Sequence, residues 1–345
     1  MHKNGLKGLC IGPVRVRPGI LLAPMEGLTD APFRTVCKRL GAGIVYTEFV
    51  NAEGLVREAP DGPRRTQGKM RFLPEERPVG IQLYGSRPDS MQRAAEMAGD
   101  AAPDLIDINC GCWVRGVTEQ GAGAGLLRDL PAMRSVVSSV VRATSLPVTV
   151  KTRLGWDRAS IRIVEVACML QDLGVQALTI HCRTRAQGHK GPVDYSWIPQ
   201  VKKAVSIPVI LNGGLTRAED VSQALATTGC DGVMLARGAV RHPWLFREAR
   251  HLLDGVRLPG PTLAQRVDLC LMHLQLAIAY GGPEYAVTSL RRHYAGYFRD
   301  FAGAAALRHR LAGHRELEPL MEQLQRIRDA NVPPHTGTMY SGFVE

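Results

Sequence analysis

No apolar run in this chain approaches the roughly 20 residues that a membrane-spanning helix needs. The first residues, MHKNGLKGLC, carry Lys3 and Lys7 but not the continuous hydrophobic stretch of a secretory leader. The expectation is a soluble, cytoplasmic protein with no membrane partner. A disulfide framework is also missing. The cysteines at 10, 37, 110, 112, 168, 182, 230 and 270 are scattered, several of them in apolar segments, as reduced thiols would be. Acidic residues are the scarcer charge, 32 against 43 basic, and the net charge of +11 suits a polyanionic partner. With 45% apolar and 22% charged residues the chain is no candidate for wholesale disorder. Its 345 residues suit one large domain and a smaller one.

What is present is a ladder of short apolar runs separated by helix-like segments. The runs are GILLAPMEG (19–27), GIVYTEFV (43–50), VGIQLYG (79–85), LIDINCGC (105–112), PVTVKTRLG (147–155), ALTIHCRT (177–184), PVILNGGL (208–215) and DGVMLARG (231–238). Segments 160–173 and 217–227 between them have helical apolar spacing, and TRAED (216–220) predicts a helix start capped by Thr216. Eight strands alternating with helices predict a parallel α/β fold, a (β/α)8 TIM barrel over residues 1–255, with a doubly wound sheet as the runner-up. The connections 51–78 and 113–146 are long, the first a candidate lid or a surface insertion. VRLPGPTLAQ reads as a linker. Residues 262–330 read as helices of a second domain, 256–345, that ends in an irregular tail, NVPPHTGTMYSGFVE.

Each run ends in side chains capable of chemistry: Met25, Glu26, Glu48, Gln82, Asn109, Cys112, Lys151, Arg153, His181, Arg183, Asn212 and Arg237. In a barrel these ends open onto one face, which holds the site. The glycines after strands seven and eight, Gly213, Gly214 and Gly238, with Arg237, suit a phosphate site. Lys151 would lie in the same mouth, either as the cation that stabilises developing negative charge or as a plain salt-bridge partner. The Cys-x-Cys pair at 110 and 112 could be a metal clip, a redox pair or one catalytic thiol. No Cys or His cluster lies nearby, which argues against a metal. Between 291 and 315 six arginines face a single acid, Asp300, with His293, His309 and His314 interleaved. That cluster is either a solvated helix face or a phosphate-contacting surface. Across residues 262–345 nine arginines stand against eight acids, so the cluster is local.

LLAPMEGLTDAPFR (21–34), VGIQLYG, IDINCGC, GAGAGLLRD (121–129), VTVKTRLGWD (148–157), LTIHCRTRAQG (178–188), IPVILNGG (207–214), GVMLARGAVRHPWLF (232–246) and RRHYAGYFRDFAGAAALRHRL (291–311) follow one another along most of the chain. In this order they resemble the tRNA-dihydrouridine synthases, FMN-dependent barrels with a helical C-terminal domain. The resemblance implies reduction of the uridine C5=C6 bond in tRNA, with NADPH reducing FMN, hydride passing from FMN to C6 and Cys112 protonating C5. It implies Lys151 and His181 as further catalytic positions. Flavin contacts would come from Pro24, Met25, Gln82, Asn109, Lys151 and His181. The phosphate end would be Asn212, Gly213, Gly214, Ala236, Arg237 and Gly238. RNA contacts are implied for Arg153, Arg183 and Arg185, and in the helical domain for Arg291, Arg292, Arg299, Arg308 and Arg310. The family also implies a monomer without metal. A related FMN barrel acting on a free pyrimidine or an enone is one alternative; a catalytically silent RNA-binding barrel is another.

The sequence departs from the family at three places. Trp113 stands where proline usually follows the catalytic cysteine, which frees the backbone φ that proline would fix: either the loop 113–125 is placed differently, or the indole stacks on a base or packs against the flavin. Cys182 and Ala236 replace common glycines after His181 and before Arg237, and each narrows the expected pocket.

Overall fold

The computed structural model describes residues 8–57 and 65–331. Every run of the ladder contributes a strand: β1 (Ile20–Leu22), β2 (Val45–Tyr46), β3 (Val79–Tyr84), β4 (Leu105–Cys110), β5 (Val148–Arg153), β6 (Ala177–His181), β7 (Val209–Asn212) and β8 (Gly232–Leu235). Neighbours pair in parallel from β2 round to β8, and β8 pairs with β1 in the register Val233 to Ile20. Two backbone bonds close the ring: Gly43 N–H donates to Ile20 O at 2.7 Å and Leu22 N–H to Ile44 O at 2.9 Å. The sheet is therefore the expected (β/α)8 barrel, not the doubly wound alternative, whose sheet keeps two open edges.

Alternation along the strands builds two cores. Leu21, Ile44, Tyr46, Leu105, Ala177, Ile210 and Met234 point into the barrel. Gly80 makes room there, since a Cβ on it would lie 2.5 Å from Leu105 Cδ1 and 2.6 Å from Tyr46 Cδ1. The floor is an element not read from the sequence: an antiparallel hairpin of Leu9–Ile11 and Val14–Val16, whose Leu9, Ile11 and Val14 plug this inner core. Its signal was present as apolar alternation around Gly12-Pro13.

Outward-pointing strand residues meet the helices α1 (Ala31–Arg39), α2 (Pro88–Asp100), α3 (Leu130–Ala143), α4 (Ile163–Asp172), α5 (Trp197–Ala204), α6 (Ala218–Thr228) and α7 (Leu245–Leu253). Asp30 and Asp129 cap α1 and α3 by accepting from Phe33 N and Ala132 N. The cap expected at Thr216 is displaced. Arg217 holds the cap position of α6, and Asp220 of the first turn reaches back to accept from the N–H groups of Thr216 and Arg217, both at 2.9 Å. A carboxylate is the stronger acceptor at a helix N-terminus, and the Thr216 hydroxyl donates to it as well. The described part of the 51–78 connection carries short helices at Ala52–Arg57 and Arg65–Gly68. It is pinned to α1 by a buried ion pair, Arg34 Nε to Glu76 Oε2 at 2.5 Å. Residues 58–64 of that candidate lid lie outside the described residues.

A helical region follows: α8 (Leu263–Leu290), α9 (Tyr294–Tyr297), α10 (Ala304–Gly313) and α11 (Leu317–Asp329). Thr262 and Gln265 cap α8 reciprocally, and Gly282 (φ 83°) ahead of Pro283 breaks it. The tail from 332 onward lies outside the described residues. No described helix is long and apolar enough to cross a membrane. This region shares one core with the barrel. His293 stacks on Phe33 of α1 at 4.3 Å, Tyr285 Oη donates to Asp30 Oδ2 at 2.6 Å, and Arg292 Nη1 donates to Gly27 O at 2.7 Å. Gly296 of α9 lies so close to residues 237–241 that a Cβ on it would sit 2.1 Å from Val240 O.

That last contact yields a test. Gly296→Ala forces backbone apart at the junction and should cost about 1–3 kcal/mol, read as a lower denaturation midpoint. Gly313→Ala, whose added Cβ meets nothing within 4 Å, should not lower it. Equal midpoints for the two variants would refute the close approach.

Candidate active site

The C-terminal strand ends open onto a cavity of about 430 Å³. Its wall at β4 is built by a chain of hydrogen bonds that starts inside the barrel. Asp107 Oδ1 accepts from the Thr149 hydroxyl and Oδ2 from Gln82 Nε2, both at 2.5 Å. Gln82 Oε1 accepts from Asn109 Nδ2 at 2.9 Å, and Asn109 Oδ1 accepts from the N–H groups of Gly111 (3.0 Å) and Cys112 (2.9 Å). The double acceptance bends the chain at the end of β4. Along the strand Asp107 and Asn109 face inward while Ile106, Ile108 and Cys110 face the helices. Cys112 would follow Cys110 outward if the strand continued; the bend brings it to the cavity instead. Cys110 is fully buried in the outer core. Burial pushes the Cys112 thiol above its ordinary range, against the opposing pull of the Val114 N–H, Arg153 and Lys151.

β5 supplies the cations. Lys151 sits beside Asn109 in register, and Arg153 sits beside His181 of β6. Burial, and then repulsion from Arg153, lower the Lys151 pKa to about 8, while Asp107 and Cys112 pull it back up. Its ammonium makes no hydrogen bond or ion pair among the described residues. Arg153 braces two loops, donating to Gly111 O (2.7 Å), Thr184 O (3.0 Å) and Gly188 O (2.9 Å). Arg183 Nη1 lies 3.3 Å from His181 Nε2. An arginine can only donate, so Nε2 is the acceptor and the imidazole is neutral. Burial and the surrounding cations hold its pKa well below the ordinary value.

β7 and β8 end in a glycine cradle. Gly213 (φ 109°) and Gly214 (φ 78°) adopt left-handed backbone next to His181 and Tyr195. A Cβ on Gly213 would sit 2.7 Å from His181 Cδ2, and one on Gly238 only 2.3 Å from Leu215 O. Tyr195 Oη donates to Gly213 O at 2.6 Å, and Asn212 Nδ2 ties β7 to β8 by donating to Met234 O at 2.7 Å. Arg237 and Arg241, one helical turn apart, border the cradle and form no ion pair among the described residues.

Of the residues expected at the flavin, Pro24, Met25, Asn109, Lys151, His181, Asn212, Gly213, Gly214, Ala236, Arg237 and Gly238 line this one cavity, with Cys112 among them. Gln82 does not. It is 0% exposed, and its amide is spent on Asp107 and Asn109. Of the arginines expected at RNA, Arg153 and Arg183 line the cavity, and Arg185 lies over the Trp156 ring at 4.3 Å. In the helical region Arg291, Arg292 and Arg308 donate to the carbonyls of His314, Gly27 and Phe298, and Arg299 pairs with Asp300. Arg310 is exposed without a partner among the described residues. The interleaved His293, Tyr294, Tyr297 and Phe298 are buried core. Sequence reasoning missed Phe49, His189 and Arg241 at the cavity; only Arg241 left a signal, its helical spacing from Arg237. Among the described residues no group of three or more His, Cys, Asp or Glu side chains comes together as a metal site.

The chain is similar to known proteins. The family model of dihydrouridine synthases (Dus) matches residues 21–331. A probable tRNA-dihydrouridine synthase 1 from Synechocystis sp. is 41% identical over 88% of this chain and 85% of its own. A tRNA-dihydrouridine synthase B from Xanthomonas campestris pv. campestris is 38% identical over 94% of this chain and 98% of its own. Among solved structures, a histamine dehydrogenase from Rhizobium superposes with a TM-score of 0.57 at 14% identity, covering 79% of this chain and 51% of that one. An old yellow enzyme homologue from Zymomonas mobilis gives 0.53 at 16%, covering 74% and 94%. At such identities these two speak for the barrel fold alone. With the family model spanning most of the chain and relatives matched nearly end to end, the chain belongs to the dihydrouridine synthase family.

Proposed function

We propose that this protein reduces the C5=C6 bond of uridine in tRNA to give 5,6-dihydrouridine. The observation that carries the reading is the Cys112 thiol sharing one cavity with the Lys151 ammonium, which has no hydrogen-bond or ionic partner among the described residues. The relatives' names supply the substrate class, and the net charge of +11 favours a polyanion.

The cavity's donor set fits FMN. Gly213, Gly214 and Gly238 let backbone approach a phosphate, and Arg237 and Arg241 bring charge that no acid has claimed among the described residues. Lys151 is the cation for an anionic ring edge, and Ala23 and Met234 give an apolar floor. Bound there, FMN would supply the hydride for uracil C6 and be restored by NADPH. The chain's own work is the proton. Cys112 Sγ–H donates to C5 as the double bond is lost, and the thiolate left behind faces Arg153 and Lys151 until solvent reprotonates it. A thiol held above its ordinary pKa keeps its proton until the carbon demands it. Neutral His181 adds polarity to the site without adding charge. The cysteines are free and mostly buried, which suits a reducing compartment, and we place the enzyme in the cytoplasm.

The reading is tested directly by spectroscopy. Purified protein should show flavin bands that bleach with NADPH under anaerobic conditions and return on addition of unmodified tRNA. Bands that bleach and then ignore tRNA would assign another acceptor. Cys112→Ala should keep FMN and tRNA binding while turnover falls by about 100-fold or more; Cys110→Ala, altered only in the outer core, should turn over at close to the wild-type rate. The pH profile gives a third check. Lys151 is cationic below a pKa of about 8, so turnover should fall as pH rises through that value. In Lys151→Arg the fall should move to higher pH, because guanidinium keeps its proton. A fall at the same pH in both proteins would assign the titration elsewhere.

A further inference from the structure

Large apolar side chains that remain exposed among the described residues are Val56, Trp113, Val114, Val256 and Met321. Scattered single cases need no explanation, but two of these are consecutive, follow the thiol directly and line its cavity. Trp113 is 41% exposed and Val114 49%. Trp113 is nevertheless held in place. Its Nε1–H donates to His189 Nε2 at 3.1 Å, with the two rings edge to face at 5.3 Å. One part of the indole rests on Gly188, where an added Cβ would lie 3.3 Å from Cε3. Arg153 fixes that loop in turn through Gly188 O. The bond to Trp113 requires an unprotonated Nε2, and burial together with Arg237, Arg153 and Arg183 holds His189 at a pKa of about 4. The ring is thus oriented in advance by a loop from β6, beside a cavity that Lys151, Arg153, Arg183 and Arg237 also line.

On the reading of the protein as an RNA uridine reductase, we infer that Trp113 is the stacking platform for a nucleobase at the cavity entrance, next to the uracil delivered to Cys112. Flipping a nucleotide strips its neighbour of one stacking partner. A flat, exposed and pre-oriented indole at the rim restores that contact, and every base offers it a π-face. The half-buried Cys112 marks where the target uracil reacts, deeper than the exposed indole. Trp113 therefore sets affinity and substrate placement, and the proton transfer remains with its neighbour.

The test uses holoenzyme and unmodified tRNA. In oxidised protein, the share of tryptophan emission that is absent from Trp113→Phe should be quenched as tRNA binds. In anaerobic turnover, Trp113→Ala should raise KM by about tenfold while the saturating rate changes far less, and Trp113→Phe should recover most of the lost affinity. Emission from Trp113 that ignores saturating tRNA overturns the inference. So does an unchanged KM in Trp113→Ala, or a variant pair in which Ala and Phe lose the saturating rate alike. Reduced wild-type flavin that tRNA leaves reduced sinks the parent reading instead, and the emission change in the oxidised complex then decides the stacking by itself.

Discussion

The site depends on one carboxamide. Asn109 lies at the last inward position of β4, and its oxygen accepts from two successive backbone N–H groups. That bond pair ends the strand's alternation and swings Cys112 from the helix side to the cavity. The orientation of Asn109 is not free. Its NH2 must point to Gln82, whose own NH2 must point to Asp107, which as a carboxylate can only accept. A buried acid therefore fixes the direction of every amide in the chain. Burial pushes the Asp107 pKa up to about 6, and the donated bonds from Thr149 and Gln82 together with Lys151 oppose that rise. The cost of holding that charge inside the barrel is the cost of aiming the thiol.

Positive charge is concentrated at the mouth and most of it is already employed. Arg153 and Arg183 donate to loop carbonyls, so they shape the rim while their charge still reaches the cavity. The crowding has chemical consequences. With burial as the larger cause, it helps to hold His181 and His189 neutral and to lower Lys151, because each new cation is repelled by those present. Among the described residues, only Lys151 and the pair Arg237 and Arg241 keep charge there without a hydrogen-bonded or ionic partner of their own. Both line the one cavity, which suits an anionic ligand.

The helical region is fastened to the loops that form the site. Tyr285 and Arg292 hold the turn that follows β1, and Gly296 packs on the helix that presents Arg237 and Arg241. An arginine-rich stretch that reads as an RNA surface thus also braces the fold. Guanidinium groups satisfy carbonyl oxygens at helix ends, and the interleaved aromatics fill the joint.

The sequence alone determined a parallel β/α fold, because eight apolar runs at β/α spacing leave few other ways to bury both faces of a parallel sheet; it favoured the barrel, and ring closure decided against a doubly wound sheet. It also determined which residues stand at the strand ends, since strand polarity puts them all on one face. The ordered motifs carried the family, and with it the choice of Cys112 over Cys110. Only the tertiary structure decided what the side chains do there. Gln82 reads as a ligand contact and is an internal strut, while Arg292 reads as an RNA contact and also braces Gly27, because their partners come from strands and turns far away in the chain. His189 and Phe49 were invisible as site residues, since nothing in their own segments marks them; the cavity is made by loops that meet only when the ring closes. Trp113 stood in the sequence as a departure from the usual proline, with stacking on a base and packing against the flavin both open to it. Its orientation exists only because a histidine 76 positions later is folded against it.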